Sequence, residues 1–125
     1  MRVAGIGFRS AATMDSLREA LKRAIGDGPS LQAIATETDK AATPVFRDLA
    51  ADLSVPVLAI NSAALAGIFT PTQSQRVQER YATGSLAEAS ALAAAGPGAW
   101  LVTTRVVSHD GMATAAIAEN EGTDT

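Results

Sequence analysis

Cysteine is absent from this 125-residue chain. That excludes disulfides, thiolate metal sites and cysteine nucleophiles. Histidine occurs once, at His109, too little for a histidine-based metal site, and no metal or cofactor is expected. Aromatic residues make up 4% of the chain against 47% hydrophobic residues overall, so its core must be fine-grained and rich in alanine. No apolar run approaches the roughly 20 residues of a membrane helix. The charged-then-apolar layout of a secretion signal is interrupted by Gly5, Gly7 and Arg9. The net charge is −3 and the basic residues are scattered along the sequence. No nucleic-acid or membrane partner is therefore expected. A single cytoplasmic domain over residues 1–119, with a flexible acidic tail at 120–125, is the simplest reading.

What is present alternates strand and helix signals. Residues 2–8 read as a buried strand ending at Gly5-Ile6-Gly7. Thr13 can cap a helix in which Met14, Leu17, Leu21, Ala24 and Ile25 form one apolar stripe. Gly26-Asp27-Gly28-Pro29 stops it. Residues 31–36 read as a second strand, followed by a polar loop. Thr43-Pro44 opens the next helix, with proline at its first position. Residues 55–60 form a third strand. Short helices are predicted at 62–65 and 74–81, and an alanine-rich one at 85–95, ended by Gly96-Pro97-Gly98. Two strands, 99–107 and 112–118, flank the turn signal His109-Asp110-Gly111. The expectation is an α/β domain with a mainly parallel, twisted sheet of about five strands, flanked by helices and closed by a C-terminal β-hairpin.

Several stretches combine backbone and side-chain groups suited to anions. Gly5, Gly7 and Arg9 stand at the C-terminal end of the first strand, where α/β sheets bind ligands. Glycines there allow backbone N–H groups to approach an anion, and Arg9 can clamp a carboxylate. They serve equally as a tight strand-to-helix turn. A dinucleotide reading would place Ala11 third in the glycine motif and needs an acidic residue after the second strand, for which Glu37 is marginal. Lys40 follows that strand on the same sheet edge, as a second cation or a solvated loop residue. Ser74 caps the 74–81 helix or offers its hydroxyl to a ligand. Gly84 and Ser85 open the alanine-rich helix. Ser85-x-x-Glu88 matches a capping box, in which Glu88 would reach back to the Ser85 N–H and tolerate replacement by glutamine. Glu88 beside a bound anion would alternatively serve as a general base.

Taken together, "GIGFRS", "TETDK", "TPTQSQRV", "TGSLAEASALAAAG" and "ATAAIAE" resemble the family formed by the C-terminal domain of CbiG and the stand-alone CobE proteins of cobalamin biosynthesis. CbiG opens the δ-lactone of cobalt-precorrin-5A and carries an additional N-terminal domain. A chain beginning at its first strand looks more like the stand-alone members. The resemblance implies a corrin intermediate of the aerobic pathway, of the precorrin or hydrogenobyrinic acid type, as ligand. It also admits other enzymes of that pathway as partners. Gly5, Gly7, Arg9, Lys40, Ser74 and Glu88 match family positions. The family's first motif commonly carries a cysteine where Phe8 stands and a basic residue where Ser10 stands. A glutamate is often found where this chain has Thr43, and a lysine near the last strands appears as Arg105.

Three functions follow as expectations: a binding or carrier protein for a corrin intermediate, a hydrolase acting on one, or a small nucleotide-binding module. The first is favoured because the carboxylate clamps are retained while an acidic position is lost. Carboxylates on the rim of a corrin would meet spaced cations, with small alanines letting the flat macrocycle lie close.

Overall fold

The structure, a computed structural model, describes residues 1–121. The last four residues of the expected tail lie outside the described residues. Before them, Asn120 donates through Nδ2 to the carbonyl oxygens of Ala95 and Pro97.

Five strands form one sheet: β1 (Arg2–Phe8), β2 (Ala33–Glu37), β3 (Val57–Ile60), β4 (Trp100–Val107) and β5 (Ala113–Glu119). Their spatial order is β3-β2-β1-β5-β4. β1 pairs with β2, and β2 with β3, in parallel; β1–β5 and β5–β4 are antiparallel. The α/β class, the five strands and the C-terminal hairpin agree with the sequence. The sheet is mixed rather than mainly parallel, because the hairpin returns through its centre and lays β5 directly against β1.

Two helices cover one face: α1 (Met14–Ile25) and α3 (Pro44–Leu53). Every residue of β1 is buried, as a central strand requires. Ala4, Ile6 and Phe8 point towards α1 and α3, meeting Leu17, Leu21, Phe46 and Leu49. The opposite face carries α6 (Leu86–Ala95), packed through Ala91 and Ala95 on Val3, Ala33, Ala35 and Ala118. A Cβ added to Gly5 would stand 2.0 Å from the Ala87 carbonyl oxygen and 2.5 Å from the Ala91 nitrogen. The helix backbone therefore lies directly on the strand backbone. The alanines bring α6 onto the sheet; this close contact accounts for the alanine-rich composition from within the fold.

The remaining helices are short: α2 (Thr38–Ala41), α4 (Ser62–Leu65) and α5 (Gln75–Tyr81). Helix starts largely follow the caps read from sequence. Thr13 accepts from the Ser16 N–H, Ser74 from the Val77 N–H and Ser85 from the Glu88 N–H. Thr43 is the exception: it precedes Pro44 but makes no side-chain cap. Its hydroxyl donates instead to the Lys40 carbonyl oxygen at 2.6 Å.

The β4–β5 turn is tied to α1 through Asp110. Its carboxylate accepts from Ser108 Oγ and Ser16 Oγ, both at 2.6 Å, and from the Met112 N–H at 3.0 Å. The Ser108 bond first, then those from Ser16 and Met112, holds its pKa down to about 2. This fastening sets the position of Gly111 and Met112, which form one wall of the cavity described next.

Candidate functional site

At the C-terminal end of β1 and β2 the sheet opens into a cavity of about 670 Å³, within the usual range for small-molecule sites. Gly7, Phe8 and Arg9 enter it from the end of β1, Lys40 from α2, Ser74 from the start of α5 and Arg76, Val77, Arg80 and Tyr81 from that helix, Ser85 and Leu86 from the start of α6, and Arg105 from β4. It combines an apolar lining with a set of positive charges.

Five cations line it: Arg9, Lys40, Arg76, Arg80 and Arg105. They are half of the ten lysines and arginines in a chain whose net charge is −3. Among the described residues no acidic side chain lines the cavity, and none of these five forms an ion pair. The scatter of basic residues along the sequence is thus undone by the fold. Arg76 and Arg80 lie four residues apart on α5, which places them on one side of that helix. Tertiary structure then brings them to Arg9, Lys40 and Arg105.

Lys40 is the most constrained of the group. Glu37 caps α2, its carboxylate accepting from the Asp39 and Lys40 N–H groups. This is its role here, in place of the ribose contact of a dinucleotide site. With Thr43 on the Lys40 carbonyl, the backbone of Lys40 is held on both sides. Its Nζ donates to the Phe8 carbonyl oxygen at 2.6 Å and lies 4.9 Å from the centre of the Phe8 ring, a cation–π distance. The ring itself stacks on Phe46 at 5.9 Å. Burial, followed by repulsion from Arg80, lowers the Lys40 pKa; Glu37 opposes the shift and Arg76 adds to it.

Of the residues singled out from sequence, Gly7, Arg9, Lys40, Ser74 and Ser85 meet in this one space. Gly5 does not line it; it lies under α6. Gly84 does not line it either. Its carbonyl accepts from the Ser74 N–H at 2.7 Å, and an added Cβ would stand 2.6 Å from the Thr72 carbonyl oxygen. Gly84 therefore lets the 70–74 loop close on the start of α6, which sets where Ser74 stands.

Glu88 is fully buried beneath the cavity. Ser85 caps its N–H at 3.3 Å, but the reciprocal half of the capping box does not form. Glu88 Oε1 instead accepts from the Thr72 N–H at 2.9 Å, and Oε2 from Thr72 Oγ1 at 3.0 Å and the Arg105 N–H at 2.8 Å. Three donors thus converge on two carboxylate oxygens, and Glu88 joins α6, the 70–74 loop and β4. Partners 16 and 17 residues away leave no local sequence signal.

Sequence reasoning missed Arg76, Arg80 and Tyr81 as members of the site. Their only local trace is the spacing of two arginines and one aromatic residue on a short helix. No helix of the described residues is long and apolar enough to cross a membrane, and no metal-binding cluster occurs among those residues.

Among curated protein sequences nothing matches this chain. Solved structures do. CobE, described as a protein from the cobalamin biosynthetic pathway, superimposes with a TM-score of 0.84 at 30% identity, over 97% of this chain and 91% of that one. The cobalamin biosynthesis protein chiG from Agrobacterium tumefaciens gives a TM-score of 0.71 at 30% identity, over 97% of this chain and 99% of its own. A cobalamin biosynthesis protein G homologue from Sulfolobus solfataricus shares the fold at 18% identity, with a TM-score of 0.71 over 96% of this chain and 37% of that longer one. The profile of the family described as "Cobalamin synthesis G C-terminus" matches residues 2–118. With that match over nearly its whole length and two relatives at 30% identity, the chain belongs to the cobalamin synthesis G C-terminal family.

Proposed function

We propose that the protein binds a carboxylate-rich corrin intermediate of cobalamin biosynthesis in the five-cation cavity and acts as a binding or carrier protein. One observation carries this reading: half of the chain's cations line a single cavity with no acidic partner among the described residues. Burial first, and then repulsion from Arg80, lowers the Lys40 pKa, so an anionic ligand relieves a repulsion built into the free protein. The cations enter from four elements or their ends, which suits a ligand with several spaced carboxylates better than one compact anion. Arginine supplies the paired N–H groups that fit a carboxylate. The cap oxygens of Ser74 and Ser85 accept from their own helices, leaving each O–H as a donor. Phe8, Val77, Leu86 and Met112 give the macrocycle an apolar bed.

Family membership and the relatives from cobalamin biosynthesis direct the proposal to that pathway. The hydrolase alternative draws no comparable support. Glu88, its candidate general base, is buried with three donors already on its oxygens. Thr43, at the other acidic position of the family pattern, fastens Lys40.

The test is a spectroscopic titration with hydrogenobyrinic acid, comparing the native protein with an Arg76→Ala/Arg80→Ala variant. Saturable binding is expected, weakened at least tenfold in the variant, since each lost charge-assisted hydrogen bond is worth about 1.5–3 kcal/mol. Absence of binding to the native protein, or equal affinity in both, refutes the reading.

A further inference from the structure

Tyr81 is only 6% exposed and lines the cavity; its hydroxyl stands beside the Arg80 side chain, which can only donate to it, and its O–H has no acceptor. It is the single tyrosine of the chain. Arg105 lines the same cavity, and its buried Nε also lacks a partner. Among the described residues two further buried polar atoms share this condition, Thr36 Oγ1 and Ser90 Oγ, but neither residue lines the cavity. Buried polar groups are satisfied in the great majority of native structures, and an orphan calls for a specific cause. Here both groups can donate, and among the described residues the cavity wall holds no carboxylate to receive them.

The surroundings favour an anion over a neutral acceptor. The Arg80 guanidinium lies 5.4 Å from the centre of the Tyr81 ring. Lys40, Arg76 and Arg9 complete the charged lining. Tyr81 is held firmly: its ring packs with Leu65, Leu86 and Ala89, so its hydroxyl is directed without a flexible stem. Arg105 is fixed at its backbone by Glu88. These donors are therefore preorganised, unlike the exposed arginines of the rim.

We infer that Tyr81 and Arg105 form the deep anchor of the site, donating from the phenol O–H and from Nε–H to carboxylate oxygens of the ligand. This rests on the corrinoid-binding proposal and divides its site into two parts. Arg9, Arg76 and Arg80 at the rim attract the ligand through solvent-screened charge. Tyr81 and Arg105 hold it through buried, short-range bonds.

The experiment titrates hydrogenobyrinic acid into the native protein and its Tyr81→Phe, Arg105→Lys and Arg76→Ala variants, at low and at high salt, with a thermal melt of each free protein. Tyr81→Phe removes an O–H that has no acceptor in the free protein, so its melting temperature should stay close to the native one. Its affinity should fall about tenfold, by the same factor at both salt concentrations. Arg105→Lys keeps the charge but replaces Nε by a methylene, and should show a similar salt-independent loss. The loss in Arg76→Ala should shrink as salt rises, because exposed charges are screened. Native-like affinity in both Tyr81→Phe and Arg105→Lys, while Arg76→Ala weakens binding, overturns the anchor and leaves the function standing. A marked drop in the melting temperature of Tyr81→Phe also overturns it, since the hydroxyl would then serve the fold. Failure of the native protein to bind overturns both proposals.

Discussion

Replacing Glu88 by glutamine separates two roles that the sequence left together. A capping-box residue accepts glutamine readily, and a general base does not. The structure gives Glu88 a third role with its own magnitude. Its two oxygens receive the Thr72 N–H, the Thr72 hydroxyl and the Arg105 N–H, at a site with no solvent exposure. Glutamine offers one accepting oxygen and one NH2 group. The Thr72 hydroxyl can rotate to accept from that NH2, but the two backbone N–H groups cannot. Whichever way the amide is turned, one of these N–H groups faces another donor. The cost combines a weakened charge-assisted bond with a buried donor left unpaired, about 2–4 kcal/mol together. For a domain of this size that lowers the melting temperature by roughly 10 °C. Thermal unfolding followed by circular dichroism measures it. A Glu88→Gln melting temperature within a degree of the native value would refute the assignment of Glu88 as the link between α6, the 70–74 loop and β4.

Two further expectations follow from the geometry. Gly5→Ala forces a methyl group against the α6 backbone, 2.0 Å from the Ala87 carbonyl oxygen. It should destabilise the fold by about 3 kcal/mol or more in a denaturant titration, whereas a glycine serving only a ligand would leave stability unchanged. Lys40 carries a lowered pKa, so above it the folded protein holds fewer protons here than the unfolded chain, and the Lys40 contribution to stability rises with pH until the unfolded lysine also titrates. Anion binding works in the opposite direction: affinity for a carboxylate-rich corrinoid should be greatest below the Lys40 pKa and fall as pH climbs through it. A Lys40→Met variant should lose that alkaline decline, and a decline of equal size in the variant would remove Lys40 from the site.

Much of the architecture was legible because its causes are local. Thr13, Ser74 and Ser85 mark helix starts through bonds spanning three residues, and His109-Asp110-Gly111 forms the hairpin turn through Asp110. Gly7 at the glycine-rich strand end, Lys40 and Ser74 all lie at the sheet edge that opens into the cavity. Other features depend on contacts no local pattern records. Helix α2 forms because Glu37 folds over its N-terminus, within a stretch that reads as a polar loop. The antiparallel insertion of β5 beside β1 is decided by sheet packing, so alternating elements alone suggested more parallel pairing than exists. The site's charge is a tertiary property: Arg9, Arg76 and Arg105 are far apart in sequence, and only the closed sheet edge makes them neighbours. Gly5 and Glu88 stand out in the sequence as a strand-end glycine and a helix-start carboxylate, and the structure uses the first for close helix packing and the second as a buried tie.

The central claim is that five unpaired cations select a ligand by its carboxylates. Isothermal titration of the native protein tests it most directly, with hydrogenobyrinic acid on one side and a corrinoid whose peripheral carboxylates are amides on the other. The same macrocycle shape is then offered with and without its negative charge. The account predicts that the acid binds at least tenfold tighter, a difference of about 1.4 kcal/mol or more, and that the gap narrows as salt is raised. Equal affinity for the two, or tighter binding of the amide, would contradict it.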